Sequence, residues 1–267
     1  MVCRRIESGW KGTVHEMKTV SQIIRSLEGK EIKVSLTRKL AFSRMIDGTQ
    51  WYMQGGGSDG TYAYYAVNSG GDSRESETLI YKVDLATWQI IKISQPLYMS
   101  HANDIAYDPY HHRLIVSWCD IEPDKVAVVD PDTLELLETK QIPQRHFSIA
   151  YCPERHRYVA GKSRTYDLAL LDDEFAPVAL LPGVEGYVKQ GLECDDRYIY
   201  FFQTGTDANW IFVFDWDGAL IHKIAVPMVG ESENLFVRDD KLICAFTDKD
   251  AGELTVYEAA LSEKSPR

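Results

Sequence analysis

Five short segments of the chain carry polar side chains of different chemical type at a regular spacing of 43 to 49 residues. The segments are Tyr52-Met53-Gln54, His101-Ala102-Asn103, Arg145-His146-Phe147, Val188-Lys189-Gln190 and Glu231-Ser232-Glu233. Histidine and carboxylate side chains transfer protons as general acids and bases, whereas amides and ammonium groups orient polar ligands. If the five segments converge in space, they form a site suited to a small polar molecule or a glycan.

Roles can be assigned to these residues from their chemistry. We predict His101 and His146 as acid/base catalysts, with Glu231, Glu233 and Asp104 as their partners. The predicted substrate-binding residues are Tyr52, Gln54, Asn103, Lys189, Gln190 and Glu193. A divalent metal in the channel stays open as an alternative, but no histidine motif with metal-binding spacing is present, so no cofactor is predicted. A water-filled channel whose polar side chains satisfy one another also stays open.

Glu193 occupies a position that is apolar in most of the other copies. A carboxyl in such a slot is costly to ionise, so its pKa would rise and it would suit a catalytic acid. Pairing with Lys189 or Arg197 explains it equally, and this structural pairing is the favoured interpretation.

The elements that position these residues follow from the repeat. Each polar segment runs into an apolar strand and meets a turn 25 to 30 residues after its last residue, and the turns are placed at Asp84, Asp130, Asp172, Asp215 and Glu258. Several strands within a fixed period of this length indicate the blades of a β-propeller. We therefore predict an all-β, five-bladed propeller of four-stranded antiparallel blades. Its innermost strands would bring the polar segments together around a central channel.

The domain organisation predicted from the repeat is a single propeller over residues 1–267. The predicted blades span about 45–97, 98–143, 144–183, 184–228 and 229–262, after an N-terminal extension of residues 1–29. The first copy contains a long polar excursion over residues 68–76, for which we predict a mobile surface loop, although loops of this kind also cover sites.

The fifth copy lacks an outer strand, because only nine residues follow Glu258. An open sheet edge invites aggregation, and a ring closes it by borrowing a strand. Residues 31–40 alternate between apolar and polar types, so we predict that this strand closes the last blade. Before it, apolar residues at helical spacing predict a short helix over about residues 19–28 that packs against the outside of the ring.

Composition narrows the partners and the compartment. A formal net charge of −11 argues against nucleic acid as a partner. No export signal or long apolar stretch is visible, so we expect a soluble cytoplasmic protein with no membrane partner. The five cysteines are widely spaced and no C-x-x-C pair occurs, which favours reduced thiols buried in the core.

Three segments carry a resemblance to a known group of proteins. They are residues 100–108 (SHANDIAYD), residues 189–193 (KQGLE) and residues 80–84 (IYKVD). These segments resemble those of small bacterial and phage five-bladed propellers described as teichoic acid biosynthesis protein C-like, over about residues 45–260. The resemblance implies the fold and little chemistry. Plant-type glutaminyl cyclases are similar in length, ring size and polar channel, but their glutamate and tryptophan motifs have no residue-by-residue match here.

Three functions are compatible with these residues. The first is an enzyme of the hydrolase or lyase class that processes a small molecule or a glycan at the channel mouth. The second is a glycan- or protein-binding module without turnover, and the third is an acidic scaffold. Aromatic residues such as Trp51, Tyr52 and Tyr98 suit sugar stacking. Others, including Tyr62, Tyr64 and Phe201, are predicted to pack between blades.

Overall fold

The computed structural model describes residues 18–70, 76–118, 124–143, 145–228 and 230–265. The helix α1 spans Val20–Ser26, shorter than predicted at both ends. Thr19 caps it, since its side chain accepts from the backbone N–H of Gln22 while the Gln22 side chain accepts from the N–H of Thr19. Val20 and Ile24 are fully buried against the fourth and fifth blades. The predicted helix and its packing on the body of the protein are confirmed.

The strand after the helix closes the last blade, as predicted. Strand β1 (Ile32–Ser43) is followed by the small hairpin of β2 (Met45–Ile46) and β3 (Thr49–Gln50). The first blade consists of β4 (Tyr52–Ser58), β5 (Tyr62–Asn68), β6 (Thr78–Asp84) and β7 (Gln89–Ile93). The second consists of β8 (Asp104–Asp108), β9 (Arg113–Ser117), β10 (Lys125–Val129) and β11 (Leu136–Gln141).

The remaining blades repeat this antiparallel order. The third consists of β12 (His146–Cys152), β13 (Arg157–Lys162), β14 (Leu168–Leu171) and β15 (Pro177–Leu181). The fourth consists of β16 (Val188–Cys194), β17 (Tyr198–Thr204), β18 (Asn209–Asp215) and β19 (Leu220–Val226). The fifth consists of β20 (Glu231–Arg238), β21 (Lys241–Asp248), β22 (Glu253–Glu263) and, as its outer strand, β1.

Strand β1 runs antiparallel to β22 along its whole length. Ile32 lies opposite Glu263, and Ser43 lies opposite Glu253. The turn expected at Glu258 is wrong, because β22 continues through this position to pair with β1. The long strand exists because its partner comes from the other end of the chain.

The hydrophobic core is divided into five layers, each between two neighbouring blades. The layers join blades 1 and 2, 2 and 3, 3 and 4, 4 and 5, and 5 and 1. The last layer contains Met53 of the first blade and Phe236 of the fifth, both fully buried. Five sheets that pack in sequence and return to the first form a closed ring. The fold is a five-bladed β-propeller.

The aspartates at four of the predicted turns form local hydrogen bonds. Asp84, Asp130, Asp172 and Asp215 each accept a hydrogen bond from the backbone N–H two residues later. This contact stabilises the turn between the third and fourth strands of a blade.

Other sequence predictions can be placed on this fold. Cys152, Cys194 and Cys244 are buried free thiols, whereas Cys3 and Cys119 lie outside the described residues. Of the 68–76 excursion, residues 71–75 also lie outside them. Across the described ranges, no helix is long and apolar enough to cross a membrane.

The polar segments coincide with a repeated irregularity of the innermost strands. Strands β4, β12, β16 and β20 each carry a β-bulge. The bulges contain Gln54, Phe147, Gln190 and Glu233, respectively. A bulge inserts a residue without a cross-strand partner and redirects its side chain. The backbone therefore gives the residue at this level a special direction in four of the five blades.

Candidate active site

A pocket of about 520 Å³ opens beside the starts of the innermost strands of blades 1 and 5. We call it the mouth pocket. It is lined by Thr49, Gln50, Tyr52, Gln54, Asn68, Ser69, Gly70, His101, Glu231 and Lys249. Four of these, Tyr52, Gln54, His101 and Glu231, were predicted site residues. The volume is in the range that holds a small ligand.

Glu231 and Lys249 form an ion pair at the edge of this pocket. The Lys249 Nζ atom lies 2.6 Å from a Glu231 carboxylate oxygen, and the Glu231 side chain is 34% exposed. The hydrogen bond to Glu231 raises the pKa of Lys249, so the ammonium group is charged at neutral pH. The amide nitrogen of Gln190 donates to the other carboxylate oxygen at 3.4 Å. Glu231 is thus held in place from two sides.

Glu233 lies two residues further along β20, in the bulge, and is only 3% exposed. Burial raises its pKa well above the usual range, and the negative charge of Glu231 acts in the same direction. A hydrogen bond from Thr247 and the positive charges of Lys249 and Arg44 oppose this rise. Two carboxyl groups of one strand therefore occupy different environments, and burial favours the protonated form of Glu233.

The walls of the pocket are fixed by contacts outside it. The Tyr52 ring lies 4.4 Å from the Arg44 guanidinium carbon, and its hydroxyl donates to Gln50 at 3.1 Å. The Asn68 side chain donates to the Ser100 carbonyl and accepts from the Gly70 N–H. Tyr52 and Asn68 are therefore positioned before a ligand arrives.

Asp104 lies in the centre of the ring, away from solvent. One of its carboxylate oxygens accepts from the backbone N–H of Ile149 at 3.1 Å and of Leu192 at 2.9 Å. It thereby connects the innermost strands of blades 2, 3 and 4. Burial raises the pKa of Asp104 well above its usual range, against the effect of these hydrogen bonds. The residue has a clear structural function, and it does not line the mouth pocket.

Several predicted site residues lie elsewhere. His146 is fully buried at the start of β12 and does not line the mouth pocket, so the two predicted histidines do not face one cavity. Asn103 is buried, and its side-chain nitrogen has no protein hydrogen-bond partner among the described residues. Lys189 lines a different pocket, where its ammonium group donates to three backbone carbonyls.

Glu193 lies at the other end of β16 from the pocket, next to Cys194, whose N–H donates to it at 2.8 Å. Pairing of Glu193 with Lys189 or Arg197 was wrong, since Lys189 is engaged by the carbonyls and Arg197 lies beside Asp196. Burial raises the pKa of Glu193 to about 8. The carboxyl is held by backbone amides rather than by a cation.

Sequence reasoning missed Lys249, the cation of the ion pair, and the small hairpin that supplies Thr49 and Gln50. Lys249 lies in the turn between β21 and β22, outside the repeating polar segments. The hairpin does carry a signal: its turn is Asp47-Gly48, and both residues have positive φ. Reading this dipeptide as a hairpin would have added one wall of the pocket.

The described part of the chain contains no group of three His, Cys, Asp or Glu residues placed to hold a metal ion. The mouth pocket offers one histidine and one carboxylate, and that carboxylate is paired with Lys249. These groups can transfer protons and form polar contacts with a ligand.

Comparison with known proteins identifies the fold and no family. No protein-family model matches the chain, and no curated protein matches it. Glutaminyl cyclase from Myxococcus xanthus is a similar solved structure: 13% identity, a TM-score of 0.61, and coverage of 88% of this chain and 100% of the cyclase. The tail fibre of Staphylococcus aureus phage P68 is similar at 9% identity and a TM-score of 0.61, over 85% of this chain. The match spans about half of the fibre protein (52%).

Proposed function

We propose that this protein is an enzyme of the hydrolase or lyase class that processes a small polar molecule or a glycan in the mouth pocket. The observation that carries the proposal is the pair of carboxyl groups on β20. Glu231 is partly exposed and ion-paired with Lys249, whereas Glu233 is buried and has a raised pKa. Neighbouring carboxyl groups whose environments separate their pKa values are typical of acid/base catalysis.

In this proposal His101 is the proton-transferring group that contacts the substrate. Glu231 and Lys249 form a dipole at the pocket edge that orients substrate hydroxyl, amine or amide groups. Gln54 contributes an amide to the same wall. Glu233 acts through Glu231 as a positioning residue, since burial disfavours a second negative charge beside the ion pair.

The similarity to a glutaminyl cyclase suggests one substrate class for the first assay. When an N-terminal glutamine cyclises, its α-amine forms a bond to the side-chain amide carbon and ammonia leaves. This step requires proton transfer, which the residues of the mouth pocket can provide, and no redox chemistry. A glutaminyl dipeptide and a neutral oligosaccharide are therefore the first two probes, followed by mass spectrometry of the products.

The test compares His101→Gln and Glu231→Gln with matched substitutions far from the pocket. His111→Gln and Glu263→Gln are suitable controls, because His111 has a 52% exposed side chain and Glu263 a 53% exposed one. We expect the pocket variants to lose turnover by about 100-fold or more, as general acid/base groups do, with unchanged thermal unfolding. Full turnover in both pocket variants would remove the catalytic assignment.

A binding module without turnover is the second candidate. The ion pair favours it, because Lys249 already neutralises the one carboxylate that lines the mouth pocket. Saturable binding of a probe with no product after long incubation, lost in Glu231→Gln, would support this function. A neutral oligosaccharide is a suitable probe for this assay.

We also propose that the chain forms one domain over residues 1–267, works in the cytoplasm and belongs with the teichoic acid biosynthesis protein C-like propellers. The resemblance of residues 100–108 and 189–193 supports the family assignment. The five continuous core layers support a single domain. A single cooperative unfolding transition in calorimetry is expected, whereas two separate transitions would contradict the single domain.

A further inference from the structure

A second pocket of about 520 Å³ lies between blades 3 and 4. The segment that begins β12, the loop between β13 and β14, and the segment that enters β16 form its walls. The equivalent elements of blade 1 and the segment entering blade 2 contribute to the mouth pocket. The two pockets therefore occupy equivalent positions in the ring, two blades apart, and differ in their side chains.

The second pocket is positively charged in a protein whose net charge is −11. We call it the basic pocket. Among the described residues that line it are three cationic side chains, Arg145, Arg164 and Lys189, and no acidic one. The nearby carboxylate of Asp167 accepts from the Thr165 hydroxyl at 2.7 Å. Three cations held together without an acid in the wall create a local positive potential.

Lys189 provides a fixed charge and a fixed wall. Its ammonium group donates to the backbone carbonyls of Lys162, Ser163 and Thr165 at 2.6, 2.7 and 2.9 Å. These contacts fasten the loop between β13 and β14 to the innermost strand of blade 4. Lys189 thus adds a cationic side chain to the wall of the pocket, at a position set by three backbone carbonyls.

Arg145 and Arg164 provide the hydrogen-bond donors. Both are exposed at the rim, and within the described ranges neither guanidinium group forms a salt bridge or a side-chain hydrogen bond. Guanidinium groups present paired N–H donors that match the oxygens of carboxylates and phosphates. An oxyanion in the basic pocket would satisfy donors that the protein leaves available.

Aromatic side chains form the rest of the wall. The Lys189 ammonium group lies 5.7 Å from the ring centre of Phe147 and 5.5 Å from that of Tyr166. The Tyr187 hydroxyl accepts from the Lys223 ammonium group at 2.7 Å, and its ring packs 5.0 Å from that of Phe212. Tyr187 is thus held rigidly, and Lys223 adds a further positive charge behind it.

We propose that the basic pocket binds a small organic anion that carries a flat or apolar group. Arg145 and Arg164 bind the carboxylate or phosphate oxygens, and Lys189 contributes charge. Phe147, Tyr166 and Tyr187 contact the apolar group. The site is separate from the mouth pocket and does not depend on the function proposed there.

The test is isothermal titration of the full chain with phenyl phosphate, benzoate, inorganic phosphate and benzyl alcohol. We expect saturable binding of phenyl phosphate or benzoate, weaker binding of inorganic phosphate and no binding of the neutral alcohol. The relative affinity of phenyl phosphate and benzoate identifies the preferred oxyanion. Added salt should weaken binding, because the contact is electrostatic and the arginines are exposed.

The decisive variant is Arg145→Gln combined with Arg164→Gln, and its matched control is Arg25→Gln combined with Arg197→Gln. Arg25 and Arg197 are exposed away from the pocket, so both variants change the net charge equally. We expect the pocket variant to weaken binding by about tenfold or more and the control by less than about twofold. Thermal unfolding verifies that both variants are folded.

Three results would overturn the proposal. They are no saturable binding of either organic anion to the wild-type chain, equal weakening in the pocket variant and the control, and unchanged binding in the pocket variant. Failure of the mouth-pocket assay leaves this test intact, because the two experiments share no residue and no probe.

Discussion

Replacing Glu193 with glutamine isolates the pH dependence of a single buried acid. Burial raises the pKa of Glu193 to about 8 from an ordinary value of 4.5. Between these two pH values the folded protein keeps a proton that the unfolded chain has released. The free energy of unfolding therefore falls as pH rises through this window. The contribution of Glu193 is most favourable below about pH 4.5 and reaches its lowest value above about pH 8.

The magnitude follows from the width of the window. One pKa unit corresponds to about 1.4 kcal/mol, so a window of about 3.5 units sets an upper limit of about 5 kcal/mol. Glu193 keeps partial contact with solvent, which reduces the cost of charging it. We therefore expect the contribution of Glu193 to the free energy of unfolding to fall by about 2 kcal/mol between pH 5 and pH 9. Glutamine retains the side-chain oxygen that accepts from the Cys194 N–H, so the variant loses the titration and little else.

The assay is urea unfolding of the wild-type and Glu193→Gln proteins at pH 5 and pH 9. The stability difference between them should shift by about 2 kcal/mol in favour of the variant at pH 9. Asp104 and Glu233, whose pKa values are also raised, are present in both proteins and largely cancel in this difference. Glu263→Gln, an exposed control, should show almost no shift. A stability difference that is the same at both pH values would refute the reasoning.

Three further predictions concern the ring. Deleting residues 1–43 removes β1 and exposes the edge of β22, so the truncated chain should aggregate or lose cooperative unfolding in size-exclusion and thermal experiments; a soluble, cooperative truncation would contradict this. Gly191→Ala places a methyl group 2.4 Å from the Asn234 Cα atom and should destabilise the protein by about 1–3 kcal/mol in urea unfolding. An unchanged midpoint would show that the two innermost strands can move apart at no cost in stability. Asp104→Ala leaves two backbone amides of neighbouring blades without an acceptor and should cost about 2–4 kcal/mol, with faster hydrogen exchange at those amides; unchanged exchange would rule out this connection.

The architecture was predictable because it is repeated. Turn residues in the sequence mark the ends of strands such as Lys125–Val129, Pro177–Leu181 and Leu220–Val226. The closing strand was predictable because the fifth copy was one strand short of the four in each blade. Residues 31–40 had the alternating pattern of a strand and no partner within their own part of the chain. Both predictions depend on the residue types within each strand and turn and on the number of strands in each copy.

The site was only partly predictable from the sequence. The repeat shows how far along the channel each residue lies, but not which side chains from different blades contact one another. His101 and His146 lie at adjacent levels, yet His101 lines the mouth pocket and His146 is buried in a different blade. Lys249 projects from a turn that no repeat position marks. For Glu193, charge complementarity suggested a cation, but backbone amides hold the carboxyl instead. Such contacts depend on loop geometry and side-chain direction.

The pairing of β1 with β22 also imposes an order on folding. Blades 1 to 4 each consist of strands that are consecutive in the chain, so each blade can form from local hairpins as it is synthesised. In blade 5, Ile32 pairs with Glu263, and among the strand pairings of the described residues this one joins the residues farthest apart in the sequence. Non-local contacts of this kind form slowly, because a long loop must close first. During biosynthesis β1 therefore stays unpaired until its partner β22, close to the other end of the propeller, has been synthesised.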